Sequence, residues 1–336
     1  EGQLLMRRKE FHMANRALLD SIDYANGTIR LDGKEYKLLD SNFPTIDPDN
    51  PYELSSEETL VVERLTSAFT NCEKLQRHMN LLLKKGSLYK VYNNNLLYHG
   101  CIPLNEDGSF KAVDIYGKKY KGKALYEVLE AYVRKAFVAI DENEREKGKD
   151  ILWFIWSSPG SPLFGKQKMA TFERYFLAEK ETHEEKKNPY YRLLEDETVI
   201  NRIMREFGLE EGCAHIVNGH VPVHHAAGES PIKCNGKVLV IDGGFSKAYQ
   251  KETGIAGYTL IYNSWGMILA AHEPFTSAED AITRETDILS DSILVKRSMI
   301  RKTVEDTDNG RKLKENIEEL KALLAAYRSG TIIEKE

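Results

Sequence analysis

A layered α/β fold with a mixed sheet is what this sequence predicts, and three observations lead to it. From Leu88 onward β-rich stretches alternate with helical ones, which is how a sheet covered by helices reads. The last four strand candidates crowd around glycines, so part of the sheet is expected to be antiparallel rather than wound by helical crossovers. With 336 residues, 41% of them hydrophobic, the chain can bury one large core or two smaller ones.

Taken in order, Thr28–Leu31 and Lys34–Leu38 flank Asp32-Gly33, the two-residue signal for a tight hairpin. A loop marked by Pro44, Pro48 and Pro51 follows. Ser55 with Glu58 three residues on forms a capping-box pattern. Val61, Leu65, Phe69, Cys72, Leu75, Met79 and Leu82 then recur at helical spacing up to Gly86, predicting one amphipathic helix. Strands are expected at Leu88–Tyr98, Ile151–Trp156, Ala214–Asn218, Val238–Asp242, Tyr258–Asn263 and Met267–His272. Between the first two lies a helix with Leu125, Val128, Leu129, Tyr132, Ala136 and Ile140 on one face, ending in the charged run Asp141 to Asp150. Leu313, Ile317, Leu320, Leu324 and Tyr327 step 4-3-4-3 near the C-terminus, a narrow seam expected to dock on the body, with another subunit as the alternative. The organisation is a connecting and covering region (1–86), a core (87–275) and a C-terminal helical region (276–336).

Composition excludes several classes of function. No apolar run approaches the roughly 18 residues that suggest a membrane span. Forty-seven Lys and Arg against 52 Asp and Glu give a formal charge of -5, which offers nucleic acid or anionic lipid no global attraction. Cys72, Cys101, Cys213 and Cys234 are far apart, without a Cys-x-x-Cys pair, so reduced thiols in the cytoplasm are expected. The chain begins Glu1-Gly2-Gln3, without an initiator Met or a signal-peptide pattern, and is expected to be part of a longer product.

Three places could carry chemistry. Gly160-Ser161-Pro162-Leu163-Phe164-Gly165-Lys166 has the spacing of a phosphate-cradling loop, but Gln167 stands where Ser or Thr should ligate magnesium and Pro162 removes a backbone N–H. An ordinary turn is the plainer reading, although Lys166 could still serve a phosphate. His220 and His224 have the i, i+4 spacing of a helical metal site, but Pro222 between them rejects that helix. What remains is His220, presented by Gly219 beyond the strand that carries His215, with His224 and His225 as surface residues. His99 likewise ends a strand before Gly100. Each alone reads as a structural histidine; together they suggest two imidazoles converging on a metal, and carboxylates completing the shell would suit manganese or iron. No compact Asp-x-His or Gly-Asp pair precedes His99 to supply a two-metal site.

The wording of the chain adds to this. Asn95-Leu96-Leu97-Tyr98-His99-Gly100-Cys101-Ile102-Pro103-Leu104-Asn105, Ser161 to Lys166, Thr171-Phe172-Glu173-Arg174-Tyr175-Phe176, Asn218-Gly219-His220-Val221-Pro222-Val223, and the run from Gly228 through Asp242-Gly243-Gly244-Phe245-Ser246-Lys247 to Ser264 closely resemble the class 3 fructose-1,6-bisphosphatases of Firmicutes and related bacteria. The resemblance covers essentially the whole chain and matches the C-terminal half of that family's enzyme.

It implies an α/β fold that is the C-terminal part of a calcineurin-like αββα sandwich with mixed sheets, flanked by the N-terminal hairpin and helix region and by C-terminal helices. His99 and His220 match two ligands of the same, second metal, while Pro222 stands where many relatives carry a further His. The earlier metal-ligand motifs would lie in a missing N-terminal half, so the chain alone is expected to be inactive. The implied activity is metal-dependent hydrolysis of the 1-phosphate of fructose 1,6-bisphosphate, giving fructose 6-phosphate in gluconeogenesis, with a pair of Mn2+ ions in the complete enzyme. Lys166, Arg174, Lys233 and Lys247 are the expected phosphate contacts, and no catalytic acid is assigned. A homo-oligomer in the cytoplasm, without nucleic acid or membrane partners, completes the expectation. The alternatives are a non-catalytic sugar-phosphate-binding or scaffold remnant, and a metallophosphatase acting on another phosphoester.

Overall fold

The computed structural model describes residues 5–210, 212–243, 246–274, 277–285 and 290–333, apart from the side chains of Lys247 and Ser290. It divides into two compact units. The first holds residues 1–89 and 100–193, and the second holds residues 90–99 and 194–336.

In the first unit, β1 (Ile22–Asp23), β2 (Thr28–Leu31) and β3 (Lys34–Lys37) form an antiparallel sheet. Asp32 and Gly33 both take positive φ, +48° and +81°, as the expected two-residue turn requires. Ile22 and Ile29 from this sheet bury with Leu18, Leu38 and Leu177 in a small core. Helix α1 (Ser56–Thr70) starts at the foreseen capping box, with the Glu58 N–H donating to Ser55 Oγ and the Ser55 N–H to the Glu58 carboxylate. The single long helix expected here is instead two, because α1 stops at Asn71 and α2 (Glu73–Lys85) begins after Cys72. Neither helix has a buried residue.

The chain then supplies β4 (Tyr89–Tyr92) and β5 (Asn95–Tyr98), most of which belong to the second unit, before returning to the first with the hairpin β6 (Val113–Ile115) and β7 (Lys118–Tyr120). Helices α3 (Gly122–Val138) and α4 (Glu142–Ser157) pack as an antiparallel pair, and Leu125 and Leu129 of one meet Ile151 and Phe154 of the other in the main core of this unit. The expected strand Ile151–Trp156 is therefore the end of α4, and Asp141 to Asp150 is its capped beginning, with Asp141 accepting from the Glu144 N–H. The pair approaches closely at Gly148, where a Cβ would lie 2.6 Å from the Tyr132 carbonyl oxygen and 2.7 Å from Ala136 Cα. Helix α5 (Thr171–Phe176) carries Glu173 inward.

The second unit contains α6 (Glu197–Glu206), β8 (His215–Asn218), β9 (Ile232–Lys233), β10 (Val238–Val240), α7 (Lys247–Thr253), β11 (Gly257–Asn263), β12 (Gly266–His272), α8 (Ala278–Arg284), β13 (Ser290–Arg297) and α9 (Asp308–Arg328). One sheet is mixed, in the order β4-β5-β8-β10-β9. Its three central strands run parallel, with Asn95 opposite His215 and Val240 opposite Asn218, so their C-terminal ends share one edge. Loops at such an edge can vary without disturbing the core. A second, antiparallel sheet has the order β11-β12-β13. Val217 and Leu239 of the first sheet bury against Met267 of the second, with Leu260 and Val295 beside them, so the two sheets face each other across a shared core.

Strand β13 lies in the stretch expected to be helical and had no counterpart in the sequence reading. Its neighbour α9 corrects another expectation. Leu313, Ile317, Leu320, Leu324 and Tyr327 are each at least 46% exposed, so the seam does not dock on its own unit. The helix is held at its start, where the Asn93 N–H donates to the Asp308 carboxylate (2.7 Å) and the Asp308 N–H to Asn93 Oδ1 (2.9 Å). Among the described residues no helix is long and apolar enough to cross a membrane.

Candidate metal centre

The parallel strands β5 and β8 deliver His99 and His220 to the same sheet edge. Strand β5 ends at Tyr98 and β8 at Asn218, and the Gly219 N–H donates to the His99 carbonyl at 2.9 Å, continuing the ladder by one more bond. His220 then sits at φ +70°, and the Val221 N–H closes a γ-turn onto the Gly219 carbonyl at 2.9 Å. Such a turn is strained by about 1–3 kcal/mol for a residue with a Cβ, and here it folds the chain back sharply at the histidine. The result is a ring pair: His220 Nδ1 lies 3.0 Å from His99 Nε2, with ring centroids 4.9 Å apart.

Two things follow from this spacing. As a hydrogen bond, one of the facing nitrogens must carry the hydrogen. As a ligand pair, both must present lone pairs, and two adjacent ligands of one ion with metal–nitrogen bonds of about 2.1 Å at a right angle are about 3.0 Å apart. The pair therefore fits a divalent cation in neutral imidazoles. On the neighbouring strand, β10, the chain continues into Asp242, whose carbonyl accepts from the Val223 N–H at 2.8 Å. A Cβ on Gly219 would lie 3.5 Å from Asp242 Cβ and 3.7 Å from its Oδ2, so this carboxylate borders the histidine turn. Asp242 was not among the expected site residues. Its signal was available, because it follows a strand and stands next to a glycine, as His99 and His220 do. Among the described residues, no three His, Cys, Asp or Glu side chains gather as a complete metal shell. The described residues thus offer two imidazoles, not a closed site.

Gly100, after His99, is required by close packing in the first unit. The Pro162 carbonyl, which accepts from the Cys101 N–H at 2.8 Å, occupies the space a Cβ would need. His224 and His225 are exposed, as expected.

The four expected phosphate contacts are distributed. In the first unit, Lys166 and Arg174 converge on Glu185, at 2.5 and 3.5 Å. Burial pushes the Glu185 carboxyl up, but the Lys166 bond, the Ala170 N–H and Arg174 outweigh it and hold it below the ordinary glutamate value. In the second unit, Lys233 pairs with Glu229 at 2.9 Å, and the same carboxylate accepts from the His224 N–H. Lys247 opens α7, and its side chain is outside the described residues.

The family model described as Firmicute fructose-1,6-bisphosphatase matches residues 1–329. The chain belongs to that family. Proteins named fructose-1,6-bisphosphatase class 3 are similar to it throughout: that of Listeria monocytogenes is 55% identical over 335 residues, covering 99% of this chain and 51% of the relative. That of Clostridioides difficile is 56% identical with the same coverage. That of Clostridium acetobutylicum is 55% identical over 99% of this chain and 50% of the relative. The chain spans about half the length of the curated relatives it matches. No solved structure matches it.

Proposed function

We propose that the chain is the C-terminal half of a metal-dependent fructose-1,6-bisphosphatase, contributing His99 and His220 to the cation site and part of the sugar-phosphate pocket. The observation that carries this reading is the 3.0 Å pairing of the two imidazoles at the end of parallel strands in a chain of this family. A calcineurin-like sandwich is part of the proposal, supported by two sheets of the second unit sharing one core.

In this reading His99 Nε2 and His220 Nδ1 hold a divalent ion, Mn2+ being the proposed metal. A bound ion of this kind stabilises charge on phosphoryl oxygens as a Lewis acid. The γ-turn at His220 orients its ring, and Gly219 keeps the edge beside Asp242 open. Lys166, Arg174, Lys233 and Lys247 are the proposed cations for the two phosphates, and the carboxylates Glu185 and Glu229 fix where three of them stand. The remaining metal ligands come from the complementary half, the partner this proposal requires. Cytoplasmic location and self-association belong to the same proposal.

Phosphate release from fructose 1,6-bisphosphate in the presence of Mn2+ tests it. The isolated chain is expected to release none, and adding the complementary half of a full-length relative, in trans or by fusion, to restore it. H99A and H220A in the reconstituted protein abolish that gain. Robust turnover by the isolated chain would overturn the division of the site, and a reconstituted protein indifferent to both histidine changes would overturn their role.

A further inference from the structure

The second unit has another polar cavity, at the opposite end of the same strands. It encloses about 130 Å3 and is lined by residues that include Asn95, His215, Tyr262, Lys296, Ser298 and Lys302. Asn95 and His215 face each other at the N-terminal ends of β5 and β8, four residues before His99 and five before His220. At about 3.3 Å per residue this places the cavity some 13 Å or more from the histidine pair. The two sites are separate.

Among its described lining residues the cavity carries positive charge alone. Lys296, half-buried on β13, and Lys302, in the loop after it, have no ion pair with any described residue, and no carboxylate is among the described residues of the lining. Among the described residues Lys302 Nζ meets Tyr262, 3.5 Å from its hydroxyl and 5.8 Å from its ring centroid. The carboxylate of Asp306, four residues on, feels the charge of Lys302 but makes its hydrogen bonds to the Thr303 N–H (2.8 Å) and hydroxyl (3.0 Å). Both ammonium groups act on His215, whose imidazole, 7% exposed, is held to about 4 first by burial and then by Lys296 and Lys302. At neutral pH this histidine carries no charge.

Its tautomer is also fixed. Asn95 Nδ2 donates to the carbonyls of Tyr92 (3.1 Å) and Asn93 (2.9 Å), so its Oδ1 is the acceptor facing His215. His215 Nδ1 must then carry the hydrogen donated across 3.2 Å, which leaves Nε2 with a lone pair. Two ammonium groups without an ion pair among the described residues and one neutral nitrogen acceptor line a space large enough for one tetrahedral oxyanion. This donor and acceptor set matches a monoprotonated phosphate group, whose bare oxygens take the lysines and whose P–O–H can donate to the imidazole. We propose that the cavity is a binding site for a small phosphate-bearing anion, free phosphate or a phosphomonoester, remote from the histidine pair. The inference does not rest on the bisphosphatase reading.

Calorimetric titration of the full chain with inorganic phosphate, in a chelating buffer so that no metal occupies the histidine pair, tests the site. Saturable one-site binding is expected, weakened at least about tenfold by K296M and again by K302M, because each removes a charge-assisted hydrogen bond. H99A leaves it unchanged, and K296R with K302R retains it, which separates loss of charge from loss of folding. Sulfate, which carries no proton to donate at neutral pH, binds more weakly than phosphate. Methyl phosphate assigns the source: tighter binding than phosphate points to an ester, and weaker binding to the free ion. Absence of binding by both, equal binding by the double methionine variant, or loss of binding in H99A would each overturn the proposal.

Discussion

Replacing Glu173 by Gln removes one charge from the interior of the first unit without changing its shape. The side chain is fully buried, and a single oxygen, Oε1, receives Arg16 Nη1 at 2.8 Å and Lys168 Nζ at 3.2 Å. Among the described residues Oε2 finds no hydrogen-bond partner. In the variant both cations meet a neutral amide oxygen, and the amide NH2 takes the place of Oε2 with no acceptor there. Each of the two bonds falls from the charged range of about 1.5–3 kcal/mol to the neutral range of about 0.5–1.5, and the buried NH2 adds about 1 kcal/mol or more. The sum is about 3–4 kcal/mol, which agrees with the usual cost of breaking a buried ion pair. Urea unfolding measures it in a Trp265→Phe background, where the remaining Trp153 and Trp156 both report on the first unit. The dependence on pH gives a second check. Burial raises the Glu173 carboxyl, but Arg16 and Lys168 outweigh it and the folded value lies below the ordinary 4.5. The stabilisation is therefore present above that value and is lost as pH falls through the lower, folded one, so parent and variant converge in acid. A difference under about 1 kcal/mol at neutral pH, or one that grows in acid, would refute the reasoning.

G148A gains about 1 kcal/mol of helix propensity but drives a Cβ into the backbone of α3, so a net loss of about 1–2 kcal/mol is expected in the same unfolding assay. His215, held to about 4, resists protonation in the folded state. As pH falls from 6.5 through 4, the second unit should lose up to about 3 kcal/mol, followed through Trp265 fluorescence. K296M raises the His215 value, read by its imidazole NMR resonances, yet leaves it below 6.5 because burial is the larger cause. With an alkylating reagent near pH 8, mass spectrometry should find Cys72 and Cys213 modified in the folded chain. Cys101, buried and pushed up to about 12, and Cys234, also buried, should react only after unfolding.

The helix α4 shows why some of the fold was not legible in the sequence. Ile151-Leu152-Trp153-Phe154-Ile155-Trp156 is short, apolar and rich in bulky residues, and periodicity alone cannot tell a buried strand from a buried helix end. The deciding signal was the preceding charged run, which enters it without a proline and begins at the Asp141 cap. Strand β13 was missed because Ser290, Asp291 and Ser292 hide its alternation. The histidine pair was legible for a physical reason: strand, histidine and glycine, twice over, mark two strand ends, and parallel pairing brings such ends to one edge. The lysine-lined cavity was not, because it depends on register between strands far apart in the chain.

The excursion of residues 90–99 into the second unit has a consequence for how the protein is made. Strand β5 must find β8, whose His215 comes 120 residues after Asn95, and closing so long a loop costs roughly 4 kcal/mol of chain entropy before any pairing rewards it. At synthesis rates of about 5–20 residues per second, β5 leaves the ribosome roughly 6 to 24 seconds ahead of its neighbour. The intervening residues 100–193 all belong to the first unit, so that unit can complete itself while β5 waits with an open edge. The contact between His99 and His220 is then a late event of folding, and its formation reports that the central sheet of the second unit has closed.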